Sequence, residues 1–319
     1  MRRVVGIDEA GYGPLIGPLT VGCTSWLVAD SFEGDFWQAL SDLVARPGKD
    51  AGSRLVVGDS KAVFDRQRGV CDLERPVLAF AAACGLPCDG VAALLAALGV
   101  EARGETARSP WSERLDRALP VDPLRSGFAG ASAALREAML AGPVRYERLG
   151  LRLVTPTHFN QRLTATRNKS AVLVEQVLRL IDTAASMTPA LETHVIVDRL
   201  GGRAEYRRLL LDAFPDRALQ EIEVGPQRSA YRLVGSPADM TVEFVVDADT
   251  NHLPVALASM LAKYVRELFM LAFNEYWIDR MPGLRPTAGY YLDAKRFLGD
   301  IAPIAAESGL ASESYVRMR

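Results

Sequence analysis

Cysteine and histidine are scarce in this 319-residue chain, which has four of the first and three of the second. Cys23, Cys71, Cys84 and Cys88 form no C-x-x-C pair, so a Cys/His zinc site is not expected and the four read as reduced thiols. No run of about 18 apolar residues occurs, which argues against a bilayer-spanning helix. The residues ahead of Ile7 carry no apolar stretch of secretory-signal length. The expectation is a soluble, cytoplasmic, monomeric protein with no membrane partner. Neither sign of charge dominates either: 37 Lys+Arg against 39 Asp+Glu leave a net charge of −2, which rules out a polybasic nucleic-acid tail but not a local basic groove. Internal repeats and low-complexity tracts are also missing, so solenoid and linker readings fall away. What is present is ordinary globular composition, 49% hydrophobic and 24% charged, at a length that fits one large domain or two small ones.

Along the chain, Val4-Val5-Gly6-Ile7 is a short β-branched run leading into Asp8-Glu9 and a glycine-rich turn, and Leu19 to Val28 is spaced to pair with it. Residues 31–45 have helical periodicity with Ser31 as a cap, and Arg54 to Val57 reads as a short extended segment before Gly58-Asp59-Ser60-Lys61. The stretch 66–145, rich in Ala, Leu, Gly and Pro, reads as a helical insertion, with helices around 74–84, 89–98 and 130–141 and loops at 101–110 and 120–127. From Tyr146 an α/β pattern resumes: a strand at 149–155, a helix at 168–187, a strand His194 to Val197, a helix at 203–214, strands near 219–224 and 241–247, and a long helix at 254–276.

Acids at the ends of apolar strands are the informative feature. Asp8-Glu9 follows VVGI, Asp198 follows HVIV, and Asp247 and Asp249 follow VEFVV. Carboxylates so placed are costly unless paired or bound to cations. All-oxygen ligands select Mg²⁺ or Mn²⁺ over zinc. Four converging acids suit two ions about 3.5–4 Å apart and in-line phosphoryl displacement. Each acid alone reads more readily as an ordinary turn former or helix cap. Spacing by itself leaves convergence open.

The segment Gly6-Ile7-Asp8-Glu9-Ala10-Gly11-Tyr12-Gly13-Pro14-Leu15-Ile16-Gly17-Pro18 closely resembles the first motif of the ribonuclease HII family, G-I-D-E-A-G-R-G-P-x-x-G-P. Further similarities follow in family order. Asp59-Ser60-Lys61 resembles its D-S-K, and Val195 to Asp198 the strand bearing its third acid. Asp249 with Leu253-Pro254 and Ala258-Ser259-Met260-Leu261-Ala262-Lys263 resembles the segment from its fourth acid into the A-S-I-x-A-K helix, and Ala288-Gly289-Tyr290 its K-G-Y-G. The resemblance covers 1–65 and, more loosely, 146–300.

It implies an RNase H-like catalytic domain made of 1–65 and 146–319, interrupted by the 66–145 insertion, with a mixed five-stranded sheet, its first three strands antiparallel, flanked by helices. It implies Asp8, Glu9, Asp198 and Asp249 as catalytic, metal-binding carboxylates for a two-ion Mg²⁺ or Mn²⁺ site, with Asp247 the rival for the fourth place. On that reading Glu9 sits where its strand is already turning, the turn being supplied by Gly11 and Gly13. The implied activity is endonucleolytic hydrolysis of RNA in RNA–DNA hybrids, or at ribonucleotides embedded in duplex DNA, leaving 5′-phosphate and 3′-hydroxyl ends. Gly11, Tyr12, Gly13 and Tyr290 inherit the reading of the 2′-hydroxyl.

Other residues keep two readings each. Lys61 caps a loop or reaches the nucleic-acid backbone. Lys263, sharing a helix face with Ser259 and Arg266, neutralises the acids, touches phosphate, or is a surface cation. Asn168-Lys169-Ser170 contacts phosphate or simply starts a helix, His252 is an acid/base group or a cap, and Trp111 and Trp277 stack on bases or fill the core. Several departures from the family pattern touch substrate reading: Tyr12 stands in place of an arginine, Ala288 of a lysine, Tyr291 of a glycine, and Arg199-Leu200-Gly201-Gly202-Arg203 follows Asp198 in place of G-N. Alternative functions are therefore a divergent protein that binds structured nucleic acid without cutting it, and a nuclease of the same fold acting on another nucleic acid.

Overall fold

The computed structural model describes residues 1–100, 109–187 and 189–318. The first two strands, β1 (Arg2–Ala10) and β2 (Leu19–Val28), form an antiparallel ribbon in which Asp8 stands opposite Gly22. The helix expected over 31–45 is a single turn, α1 (Phe36–Ala39), because Asp35 rather than Ser31 caps it. Next come β3 (Val44–Ala45) and β4 (Leu55–Val56), a small separate parallel pair, and α2 (Ser60–Val63), capped by Asp59 through Lys61 N–H. The 66–145 stretch carries α3 (Cys71–Ala83), α4 (Val91–Ala97) and α5 (Ala129–Ala141). The loop expected at 101–110 falls mostly outside the described residues.

After it come β5 (Val144–Val154), α6 (Pro156–Thr166), α7 (Lys169–Ala185), β6 (Thr193–Asp198), α8 (Arg207–Ala213), β7 (Ala218–Val224), β8 (Arg228–Val234) and β9 (Met240–Val245). The chain continues through α9 (Ala248–Asn251), α10 (Leu253–Arg280) and α11 (Tyr291–Glu307). The sheet is mixed and flanked by helices, in the order β5-β2-β1-β6-β9-β8-β7. Its first three strands are antiparallel, as expected, while β1, β6 and β9 run parallel. The expected five strands are extended to seven by the hairpin β7–β8, added along β9. The sequence hides β8 because Arg228 and Arg232 interrupt its apolar alternation; in the structure they pair with Glu243 and Asp239.

Two glycines fix how the long helix meets the sheet. A Cβ on Gly6 would lie 2.2 Å from the Pro254 carbonyl carbon, and one on Gly22 would lie 2.2 Å from the Ala258 oxygen. Backbone cannot yield to such contacts, so only glycine lets α10 lie directly on β1 and β2. Thr24 and Thr20 donate their hydroxyls to Pro254 O and Ala262 O, at 2.7 and 2.9 Å, across the same seam.

Alternation along β1 then sorts its side chains. Val4 joins the core under α10 together with Trp26, Phe80, Leu94 and Leu135, so the 66–145 helices share that core with the sheet. Val5 and Ile7 join the opposite core, under α7. Buried Glu74 of α3 accepts the Tyr264 hydroxyl of α10 and Val121 N–H, both at 2.8 Å, tying the same helices to α10 by polar contacts.

Candidate active site

The C-terminal ends of β1, β6 and β9 lie side by side, and the acids sit there. This is the edge at which open α/β sheets receive ligands. β1 pairs with β6 only as far as Ile7 opposite Val197, while its pairing with β2 runs on to Ala10. Asp8 and Glu9 therefore occupy regular strand beyond the last β6 pairing, which corrects the expectation that the strand is already turning at Glu9. The turn begins at Gly11, whose φ of +85° is left-handed. Gly13 lies in the bend that follows, but it is not left-handed and a Cβ there would meet nothing within 4 Å, so the bend does not require glycine at that position.

Asp8 is buried on the α10 side. Burial first, then the charges of Glu9 and Asp198, hold its carboxyl well above the usual carboxylate range, opposed by Ser259. Burial and Asp198 push Glu9 up to about 7. Its Oε2 is buried with no hydrogen-bond partner. Asp198 ends β6 and accepts Ala248 N–H at 2.9 Å; burial raises it, with Asp247 adding to the effect and Ala248 and Lys61 opposing it. Asp249, in α9, is buried and pushed up to about 6 by burial, then by Asp59 and Asp198. Asp247 is exposed at φ +52°. Its carboxylate reaches the group only through its charge on Asp198.

Two members are not singled out by sequence as part of the acid group. Asp59 caps α2 and, next after burial, raises the pKa of Asp249. Ser259 meets Ser60 across 3.0 Å. Both lie in segments of visible motif, but the meeting of those segments is long-range. Lys61 completes the set: burial, which lowers its pKa, is outweighed by Asp59, Asp249, Asp8 and Asp198, which raise it.

Lys263 is directed elsewhere. Its Nζ pairs with Glu267 at 2.7 Å and lies 4.8 Å from the Phe64 ring centroid. His252 begins α10 without a side-chain cap; burial lowers its pKa, and its charged neighbours are Glu243, His194, Asp35 and Arg228 rather than the acid group. Trp111 and Trp277 are buried among Phe273, Tyr276 and Tyr315, where they fill core.

The glycine-rich turn is held from both sides. Leu15 and Ile16 donate their N–H groups to Gly289 O, at 2.8 and 3.2 Å, bringing half-exposed Tyr290 beside the turn. Buried Arg266 donates to Pro18 O, Ile16 O and Ala288 O. Buried Arg317 donates to Gly11 O at 2.6 Å.

The donor chemistry fits a hard divalent cation: oxygen ligands throughout, mutual repulsion, and one buried carboxylate oxygen without a partner. As the side chains stand, no group of three or more His, Cys, Asp or Glu among the described residues is disposed to hold a metal ion. The acids share a field and an edge without forming a closed ligand cage.

No protein-family model matches the chain, and no curated protein matches it. Among solved structures, the chain is similar to ribonuclease H2 from Pyrococcus horikoshii, with a TM-score of 0.45 and 15% identity over 98% of this chain and 92% of that one. It is also similar to RNase HII from Archaeoglobus fulgidus, seen in complex with PCNA, with a TM-score of 0.40 and 16% identity over 99% and 94%. A third is Aquifex aeolicus RNase H3, with a TM-score of 0.40 and 13% identity over 98% and 71%.

Proposed function

We propose that the chain is a divalent-metal-dependent endonuclease of the ribonuclease H type. Its substrate is RNA in an RNA–DNA hybrid, or a ribonucleotide embedded in duplex DNA, and its products carry 5′-phosphate and 3′-hydroxyl ends. The observation that carries this reading is the mutual field of Asp8, Glu9, Asp198 and Asp249, each raised by burial and by other acids at one sheet edge. A protein that only grips nucleic acid gains nothing from negative charge packed beside a phosphate. Such a cluster costs folding free energy that a bound cation recovers.

Asp8, Glu9, Asp198 and Asp249 would hold Mg²⁺ or Mn²⁺, which when bound acidifies the attacking water and stabilises the leaving 3′-oxygen. The chain's own residues do the rest. Ser259 favours the charged form of Asp8 from the α10 side, and Ala248 N–H fixes Asp198. Lys61 sits where a phosphate drawn to the edge meets positive charge. Gly11, Tyr12 and Gly13, which follow β1 directly, and Tyr290, held beside the turn through Gly289 with its ring exposed, would read a ribose 2′-hydroxyl. Lys263 would reach phosphate only by giving up Glu267. The 1–65 and 146–319 segments make the catalytic unit in this reading, with 66–145 as its insertion.

The test is an assay of purified protein with Mg²⁺ or Mn²⁺ on an RNA–DNA hybrid, a duplex with one ribonucleotide, and an all-DNA duplex. Cleavage of either of the first two, abolished by Asp8→Asn, is expected. Binding without cleavage of any, unchanged in Asp8→Asn, makes the chain a non-cutting binder and sinks the proposal.

A further inference from the structure

We infer that Lys169 and Arg203, which meet at the start of α7 beside Tyr12, form a second anionic-ligand site whose ligand is a backbone phosphate of duplex nucleic acid. We further infer that the groove between α7 and α8 is the track of that strand. The inference rests on the nuclease reading above and adds to it a contact region on the opposite face of the sheet from Lys61.

Tyr12 packs on the α7 side of the sheet, where alternation also directs Glu9. It brings no charge of its own. Lys169 Nζ, from the first position of α7, lies 4.8 Å from the centroid of its ring. Arg203 comes from the loop after β6 to Ser170, the residue that follows Lys169. The two cations thus arrive from separate elements at the start of α7, one over the Tyr12 ring and the other on Ser170. Arg203 Nη2 reaches Ser170 Oγ at 3.4 Å, and among the described residues no carboxylate pairs with it.

From this point a groove of about 500 Å³ runs between α7 and α8, with Asn168, Ser170 and Arg203 in its lining near Tyr12 and Arg162 and Arg179 farther along. Glu175, which also lines it, accepts from both Arg162 and Arg179 at 2.9 Å. Its carboxylate is shared by those two guanidinium groups, so among the charged lining residues three arginines, Arg162, Arg179 and Arg203, stand against Glu175 and Asp182. A phosphodiester chain brought to a cluster of carboxylates is repelled by it. Cations placed just outside the cluster on both faces of the sheet oppose that repulsion and track the backbone. Lys61 serves one face, and Lys169 with Arg203 the other.

The experiment is fluorescence anisotropy of a labelled duplex containing one ribonucleotide, titrated with the full chain in EDTA at several salt concentrations. For Lys169→Ala combined with Arg203→Ala, affinity should fall 10-fold or more at low salt, and the slope of log K against log [salt] should flatten by about 2, close to 0.9 for each lost phosphate contact. Arg208→Ala, which removes an exposed cation of α8 paired with Asp212, should leave the slope unchanged. Thermal melting of the double variant checks that it folds, and Lys169→Gln with Arg203→Gln gives a second pair should alanine fail. Wild-type binding with an unaltered slope in both double variants overturns the site and leaves the nuclease reading standing. An equal loss in Arg208→Ala also overturns the site, since it shows bulk charge alone. A wild-type chain that binds neither this duplex nor an RNA–DNA hybrid in EDTA also overturns the site, while the nuclease reading stands or falls on the cleavage assay with Mg²⁺ or Mn²⁺.

Discussion

The hydroxyls of Ser60 and Ser259 meet at 3.0 Å in the buried seam between α2 and α10, joining two motifs 199 residues apart. Ser259 also favours the charged form of Asp8, so the pair links the turn that carries Asp59 and Lys61 to the acid on β1. Removing one hydroxyl strands the other in a buried place. Ser259→Ala should cost about 1 kcal/mol of stability and more in activity, because Asp8 loses the neighbour that favours its charged form. Denaturant melts of the two single variants and the double should give a coupling near 1 kcal/mol, and additive losses would mean that the two hydroxyls do not interact.

Glu9 sets a pH dependence with a definite sign. Its folded pKa of about 7 lies above the unfolded carboxyl value near 4.5, so between those values the folded state binds more protons than the unfolded. Stability of the metal-free protein therefore falls as pH rises through that window, by about 3 kcal/mol for this group. Below pH 4.5 the penalty is absent, and above pH 7 it is complete. Glu9→Gln removes it. In EDTA, the melting temperature of Glu9→Gln minus that of wild type should grow from pH 4.5 to pH 7 and then level off. A flat difference would show that Glu9 does not carry the strain of the cluster.

Arg266 is buried, pairs with no carboxylate among the described residues, and donates to three carbonyls, two in the glycine-rich turn and one before Gly289. Arg266→Met would leave those oxygens unpaired at a cost on the order of 3 kcal/mol. Arg266→Lys should recover only part of this, since one ammonium cannot present the planar fork that spans the turn. Equal melting temperatures for the Arg266→Lys variant and the wild-type protein would contradict that account.

Much of this arrangement is legible in the sequence, and the gaps have physical causes. β1, β2, β6 and β9 announce themselves as apolar runs, and α3, α7 and α10 as periodic ones, because each buries a continuous face. β8 does not, since its arginines are neutralised by partners on β9 and the adjoining turn. α6 follows a Thr155-Pro156 start that is a readable helix signal, yet periodicity does not reveal it, its polar residues outnumbering the apolar ones. Within the site, the acids are visible as strand ends. The Asp59–Asp249 repulsion and the separation of Lys263 from the acids are set by how α2 and α10 pack, which spacing along one chain does not encode.

The rivalry between Asp247 and Asp249 yields the last prediction. Asp249 is buried, pushed up to about 6, and faces Asp59 and Asp198, whereas Asp247 is exposed and acts on Asp198 from a distance. A ligand must exchange a proton for a cation, so the residue strained in the absence of metal gains most when metal binds. Asp249→Asn should weaken Mn²⁺ binding 10-fold or more, and it should raise the stability of the metal-free protein by relieving Asp59 and Asp198. Asp247→Asn should change Mn²⁺ affinity less than threefold, through loss of one nearby negative charge. Calorimetric titration of both variants with Mn²⁺ at pH 7 separates the two residues, and a larger loss in Asp247→Asn would reverse the assignment.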